Sequence, residues 1–318
     1  MDILDDSLLP NGVLPGNHDN RSGADSSLFD EYFGPRRYDA LEQVAPTGED
    51  GDGFYGGPWQ AGDNQNHYDL VEVGGQRLIF VYLGYLVGAD EIAWANDLLS
   101  QHQDRSAVLL THSYLLPSVA ADGRGGGLTE FDGEALYEQV VVPNRNVFLV
   151  LSGHTNGVAL NVKRDIGEKG RMVVEMMANH QFFEVGAERR VGHFRLLQVD
   201  LDAGRMAVNT YSPKLGDHNA GEFDSITGRE YDKSADEFSV PLDLPSRRTG
   251  LRTDAIGVAV RTTTVIGSAD IASGGTATVT WKGLTAGTRY GWYARATDPT
   301  GASAESSVFS FVTAAAKQ

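Results

Sequence analysis

Asn146-Val-Phe-Leu-Val-Leu-Ser-Gly-His154 decides how this chain is read. Val147 to Leu151 is an apolar run, too short for a helix and without a polar position, which predicts a buried strand. The Ser-Gly-His that follows falls where such a strand ends. The arrangement recurs twice. Val108-Leu-Leu-Thr-His112 sets a His just after a buried run, and Val13-Leu-Pro-Gly-Asn-His-Asp19 sets Asn17 and His18 after a Gly that permits a tight exit. Three strands that each end in Asn or His can converge on one edge of a sheet, where ligands gather in layered α/β folds.

Working outward, Leu78-Ile-Phe-Val-Tyr-Leu83 is another buried strand, bounded by Gly74-Gly75 and Gly84. Asp90 to His102 predicts a helix with Asp90 as N-cap and Ile92, Ala95, Leu98 and Leu99 on one face. Glu134 to Val140 predicts a second helix, stopped by Pro143. Arg171–Met177, His193–Val199 and Met206–Tyr211 read as strands without intervening helices. The order predicts an α/β sandwich with a β-rich end over 1–213. Pro35 to Gln65 and Ala120 to Gly127 read as long loops, and 214–252 as a polar connector. Over 253–318 the alternating runs Thr276–Trp281, Tyr290–Ala296 and Ser307–Thr313 predict a small all-β sandwich. Turns fall at Gly283–Gly287 and Asp298–Gly301, and Trp281, Trp292 and Tyr293 read as its core or face.

Lys and Arg number 26 against 43 Asp and Glu, a net charge of −17 over 318 residues. That sign repels phosphate backbones and excludes a general nucleic-acid binder, although a buried cation can invert the field locally. With no cysteine there is no disulfide, thiolate ligand or Cys nucleophile. No window approaches about eighteen uninterrupted apolar residues, so no membrane span is expected. Met1-Asp-Ile-Leu-Asp-Asp-Ser7 reads as no signal peptide.

A strand-end His taken singly is more often a hydrogen-bonded structural residue than a ligand. Taken together, Gly-Asn-His-Asp, Thr-His and Ser-Gly-His form an ordered series that resembles the calcineurin-like metallophosphoesterases, bacterial branch. Tyr32-Phe-Gly, Ala93-Trp-Ala and Thr210-Tyr-Ser-Pro213 add to the likeness, which covers about Leu9 to Pro213. The resemblance implies hydrolysis of a small phosphate mono- or diester by a metal-activated water, with iron, manganese or zinc as the divalent metal. It implies Asn17, His112 and His154 as metal ligands and His18 as the general acid. Asp19 would complete the catalytic loop by holding its shape. It also implies an exported or extracellular bacterial protein, while the composition leaves a cytosolic one open. Gly283 to Tyr290 resembles the E–F corner of fibronectin-III modules.

The family opens on an Asp-x-His strand and a Gly-Asp-x-x-Asp loop, and neither occurs in the fifteen residues before Gly16. Asn156 stands where the family's Gly-His-x-His motif has its second His. The domain therefore reads as lacking its first strands and first metal site. Three neutral ligands hold a dication weakly, so at most one weakly bound metal is expected. A homo-oligomer is expected to cover the sheet edge such a loss would leave. Two other functions compete: a non-catalytic binding protein acting through the fibronectin-like module, and metal-independent hydrolysis of an activated ester by His18. The remaining conspicuous residues have structural readings: His67, His102, His193 and His218 as surface or scaffold, His180 near the site mouth, and Tyr55 and Trp59 as loop anchors. Ser113 lacks the nucleophile elbow of a hydrolase serine.

Overall fold

The computed structural model describes residues 2–7, 9–42, 53–200, 203–218, 222–244, 264–272, 275–297 and 303–315. The chain divides into two units, Met1–Gly250 and Leu251–Gln318. In the first, α1 (Asp2–Asp6), α2 (Ser27–Phe33) and α3 (Pro35–Glu42) precede β1 (Tyr55–Gln60), β2 (Asp63–Val73) and β3 (Gln76–Leu83). Then come α4 (Ala89–Gln101), β4 (Ser106–Thr111) and α5 (Asp132–Leu136), which runs into a π-helical turn at Tyr137–Val141. β5 (Val147–Ser152), β6 (Gly157–Arg164) and β7 (Met172–Asn179) complete a seven-stranded sheet.

The sheet order is β1-β2-β3-β4-β5-β7-β6, and β3, β4, β5 and β7 run parallel. The apolar runs of β3, β4 and β5 follow from burial of both faces, while β7 carries one buried charge, Glu175, met by Tyr114 and Lys163. Ile79, Val81 and Leu83 join Ile92, Ala95, Leu98, Leu99 and Leu136 in one core on the helical side. Phe148, Leu149, Val174 and Met176 join Met206, Val208, Val240 and Leu242 in a second core. Met206 and its companions belong to a second sheet. It contains β10 (Phe194–Asp200), β11 (Arg205–Ser212), β12 (Asp217–His218) and β15 (Glu237–Pro241), with β15 paired to β11. A third sheet, ordered β14-β13-β8-β9, joins β8 (Phe183–Val185), β9 (Glu188–Arg189), β13 (Glu222–Asp224) and β14 (Arg229–Tyr231). The short α6 (Lys233–Asp236) precedes β15. The unit is thus mixed α/β and mostly sheet, with layers of helix, sheet and sheet.

Several expectations change. No strand precedes Asn17 among the described residues, since residues 9–16 belong to no helix or strand. The stretch Pro35–Gln65 is not one long loop: α3, β1 and the start of β2 occupy its described part, while 43–52 lie outside the described residues. Its Gly-rich and aromatic composition hid a hairpin strand whose Tyr55 is buried and donates to Asn64 Oδ1 at 2.6 Å. Residues 214–252 are no plain connector either, since β12 to β15 and α6 lie there. These elements are two to five residues long, below the length at which periodicity shows. The loop expected at Ala120–Gly127 is a loop, held against β6: Gly125 donates to Leu160 O at 3.1 Å and Gly126 to Asn161 Oδ1 at 3.1 Å. Helix α4 starts one residue earlier than expected, with Gly88 rather than Asp90 at the cap, and Glu91 reaching back to the Gly88 N–H.

The second unit is all-β among its described residues, with two two-stranded ladders. β16 (Arg289–Trp292) pairs with β19 (Phe309–Val312), and β17 (Arg295–Thr297) with β18 (Ser303–Glu305). Thr276–Trp281 pairs with no strand among the described residues. Trp281 packs edge-on to Tyr290 and Phe311, whereas Trp292 and Phe309 stack on each other with exposed rings. The expected boundary at 252/253 and the turn Asp298–Gly301 lie outside the described residues. No helix among the described residues is long and apolar enough to cross a membrane.

His67 shows what burial does to a titratable group here. Its ring stacks on Tyr82 at 4.2 Å, with Tyr38 and Tyr55 beside it, and is sealed from solvent. Burial pushes its pKa down to about 4, against the backbone carbonyl of Asn64 at 2.9 Å. A depressed imidazole favours the folded state while it stays neutral. The contribution is complete above about pH 6.5 and is lost as pH falls toward about 4, a swing of about 3 kcal/mol. Urea midpoints measured across that window should fall steeply for the native chain and less for His67→Phe. Equal slopes would mean His67 is not the group that resists protonation.

Candidate metal centre

The parallel strands set their C-terminal ends on one edge, and residues at and past those ends, with the loop that carries Asn17 and His18, build a cleft of about 410 Å³. Asn17, His18, His112, His154, Asn156 and Asn179 line it, together with Gly153, Ala178, Gln181 and Phe182. His112 follows β4 and His154 follows β5, so strand pairing alone brings them together. Gly153 N–H donates to His112 O at 3.1 Å and ties the two strand ends.

Three side chains converge. His112 Nε2 lies 3.1 Å from Asn17 Oδ1 and 3.0 Å from His154 Nδ1. A single proton on Nε2 could serve both neighbours only as a bifurcated bond, whereas a cation on their common side would be ligated by all three atoms. Separations of this size match neighbouring ligands around an ion at about 2.0–2.2 Å. Burial pushes the His112 pKa down to about 4, with the nearby His154 as the next cause. His154 is also lowered, chiefly by burial, although Asp132 pulls the other way. Both imidazoles are thus neutral near pH 7, the form that binds metal.

The backbone is shaped around this trio. A Cβ at Gly16 would sit 2.6 Å from His112 Cε1, so the ring's position requires glycine there. His154 takes a left-handed conformation, φ 63°, uncommon for a side-chain-bearing residue. Asn179 holds it by donating to His154 O at 2.8 Å and to Asn156 Oδ1 at 3.1 Å. Asn156 is therefore committed to a hydrogen bond at the cleft wall. Asp19 does not join the trio: its Oδ2 accepts from Gly16 N–H at 2.9 Å and closes the loop that carries Asn17 and His18. His18 lines the cleft with an exposed ring.

Some contributors were not legible. Asn20 is fully buried and caps the loop through Gly23 N–H at 3.0 Å, and its amide reaches Tyr85 O at 3.4 Å. Tyr85 lies against both His112 and His154, with ring centroids 5.5 and 5.1 Å away. Asp132 fixes the segment after Tyr85 by accepting from Leu86 and Val87 N–H, both at 3.1 Å. Asp132 is buried and was not singled out in the sequence. Ser113 is buried beneath the cleft against Thr129, which removes it as a nucleophile.

No protein-family model matches the chain. It is similar to an uncharacterized protein of Bacillus subtilis (strain 168), YvnB, with 33% identity over 320 residues. The match takes in 98% of this chain and 22% of that relative, so the chain spans about a fifth of the relative's length.

Proposed function

We propose that the cleft is a phosphoesterase site in which Asn17, His112 and His154 hold one divalent cation and His18 acts as general acid on a phosphate mono- or diester. One observation carries the reading: His112 Nε2 lies 3.1 Å from Asn17 Oδ1 and 3.0 Å from His154 Nδ1, donor atoms from three separate chain positions. Their order along the chain agrees with the resemblance to calcineurin-like metallophosphoesterases.

A bound iron, manganese or zinc ion would supply a water of lowered pKa and charge neutralisation for a phosphoryl group. The chain's own residues do the rest. Asn17 offers a neutral amide oxygen, and the two imidazoles stay unprotonated because they are partly buried. Asp19 and Asn20 fix the loop that aims His18 into the cleft, and Asn179 fixes the wall opposite. His18, exposed to solvent, is placed to give a proton to a leaving oxygen and to regain it from water. The ligand set carries no carboxylate, and weak, single occupancy follows from that. The second unit is read as fibronectin-III-like. Tyr290 Oη accepts from Thr285 N–H at 2.8 Å, the bond a tyrosine corner makes at the start of a strand.

The test uses the full chain, stripped with chelator and reloaded with Mn²⁺, Zn²⁺ or Fe²⁺, on aryl phosphate mono- and diesters. Hydrolysis should appear with metal and vanish on chelation. Turnover that survives chelation would instead favour metal-independent ester hydrolysis, and silence with every metal would favour a binding role.

A further inference from the structure

Behind the cleft wall lies a group of side chains that the proposed chemistry does not use. His180 follows β7, Glu222 opens β13 and Asp236 closes α6, so three separate elements meet there. His180 is 8% exposed, and Glu222 and Asp236 are each 1% exposed. Their ligating atoms all lie within 4.8 Å of one another. Yet His180 Nε2 has no hydrogen-bond partner, and no full hydrogen bond reaches the four carboxylate oxygens, although the two acids face each other and Thr210 lies beside Asp236. Leaving five such atoms unmet in an interior is costly, because a buried polar group without a partner forfeits about 1–3 kcal/mol.

The neighbouring cation does not resolve this. Arg195, on β10, faces both carboxylates, but its guanidinium donates to Met177 O at 3.4 Å and Ala235 O at 3.0 Å. Two carboxylates beside one guanidinium leave one negative charge uncompensated. A proton shared between the acids would occupy two of the four oxygens and leave His180 Nε2 still unmet. A divalent cation would take a donor from each residue. Burial supports that arrangement from two sides: it raises both acids, so that without a cation the pair retains a proton, and it holds His180 neutral.

We propose that His180, Glu222 and Asp236 form a second divalent-cation site, separate from the strand-end cleft, that takes a transition-metal ion of the zinc or manganese class. One imidazole with two carboxylates suits such an ion, whereas Ca²⁺ prefers six to eight oxygens. Ligands on a four-coordinate ion with bonds of about 2.0–2.2 Å sit about 3.4 Å apart, so the three side chains need close in by no more than about 1.4 Å on binding. The role is structural. His180 lies between Asn179 and Gln181, which both line the cleft, and a cation tying it to β13 and α6 braces that wall. The site does not depend on the phosphoesterase reading.

The experiment removes the cleft ligands first. Full-length chain carrying His112→Ala and His154→Ala is stripped, dialysed against micromolar Zn²⁺ or Mn²⁺, and its metal content measured. One equivalent should remain bound, and excess Ca²⁺ should not displace it. Adding Glu222→Gln or Asp236→Asn should abolish it. Melting of the otherwise native chain should shift upward with Zn²⁺, and this shift should disappear in Glu222→Gln, a near-isosteric change that removes one of two like charges. No bound metal in the cleft-deleted chain would overturn the proposal. So would metal that persists in both acid variants, or a Glu222→Gln chain that is as stable or more stable with zinc present than the native one.

Discussion

His18→Ala is expected to lower the turnover number for an alkyl or phenyl phosphate by about 10²–10⁴-fold, the usual contribution of a positioned general acid. The residue reaches the cleft from the loop that carries Asn17 but takes no part in the contacts joining Asn17, His112 and His154. Its removal should therefore leave cation affinity within about threefold. The diagnostic feature is dependence on the leaving group. A departing nitrophenolate needs little protonation and an alkoxide needs much, so the deficit should widen as the leaving group becomes more basic. A loss of the same size across the series would make His18 a substrate-positioning residue. Undiminished turnover would place the proton source elsewhere.

Arg171→Met should be the most damaging single change in the first unit, costing about 3–5 kcal/mol. The side chain is 2% exposed. Its Nη1 donates to Val142 O at 2.8 Å and Ile166 O at 3.3 Å, and its Nη2 to Val141, Asn144 and Val147 carbonyls at 2.6, 2.7 and 3.2 Å. One guanidinium thus fastens the end of the π-helical turn to the start of β5 and to the β6–β7 connection. Methionine keeps the apolar stem but leaves these carbonyls without their shared donor. In a unit of this size the loss corresponds to a fall in Tm of roughly 6–20 °C. Arg145→Ala is the control: its side chain is 77% exposed, its partner is Glu168, and a surface pair of that kind is worth about 0–1 kcal/mol. Equal melting shifts in the two variants would refute the account of Arg171.

How far the sequence could be read depended on element length and on who supplied the burial. β3, β4 and β5 were visible because strands covered on both faces are uninterrupted apolar runs, and β7 was visible despite its buried Glu175. Their trailing His112 and His154 were visible for the same reason. Short polar strands were not: β13 and β14 bury Glu222, Asp224 and Tyr231 through pairing with β8, and nothing local announces that. His180 looked like a residue of the site mouth. The fold turns it inward, to acids about 42 and 56 residues further along, a meeting that only tertiary structure can arrange.

The central claim is that Asn17, His112 and His154 share one cation. It is tested most directly by Mn²⁺ binding to the full chain in a Glu222→Gln background, with free Mn²⁺ counted by its paramagnetic resonance signal. The account predicts one weak site whose dissociation constant rises by more than about tenfold on His112→Ala, as removing a ligand requires. An affinity unchanged by His112→Ala, or two tightly held equivalents in that background, would contradict it.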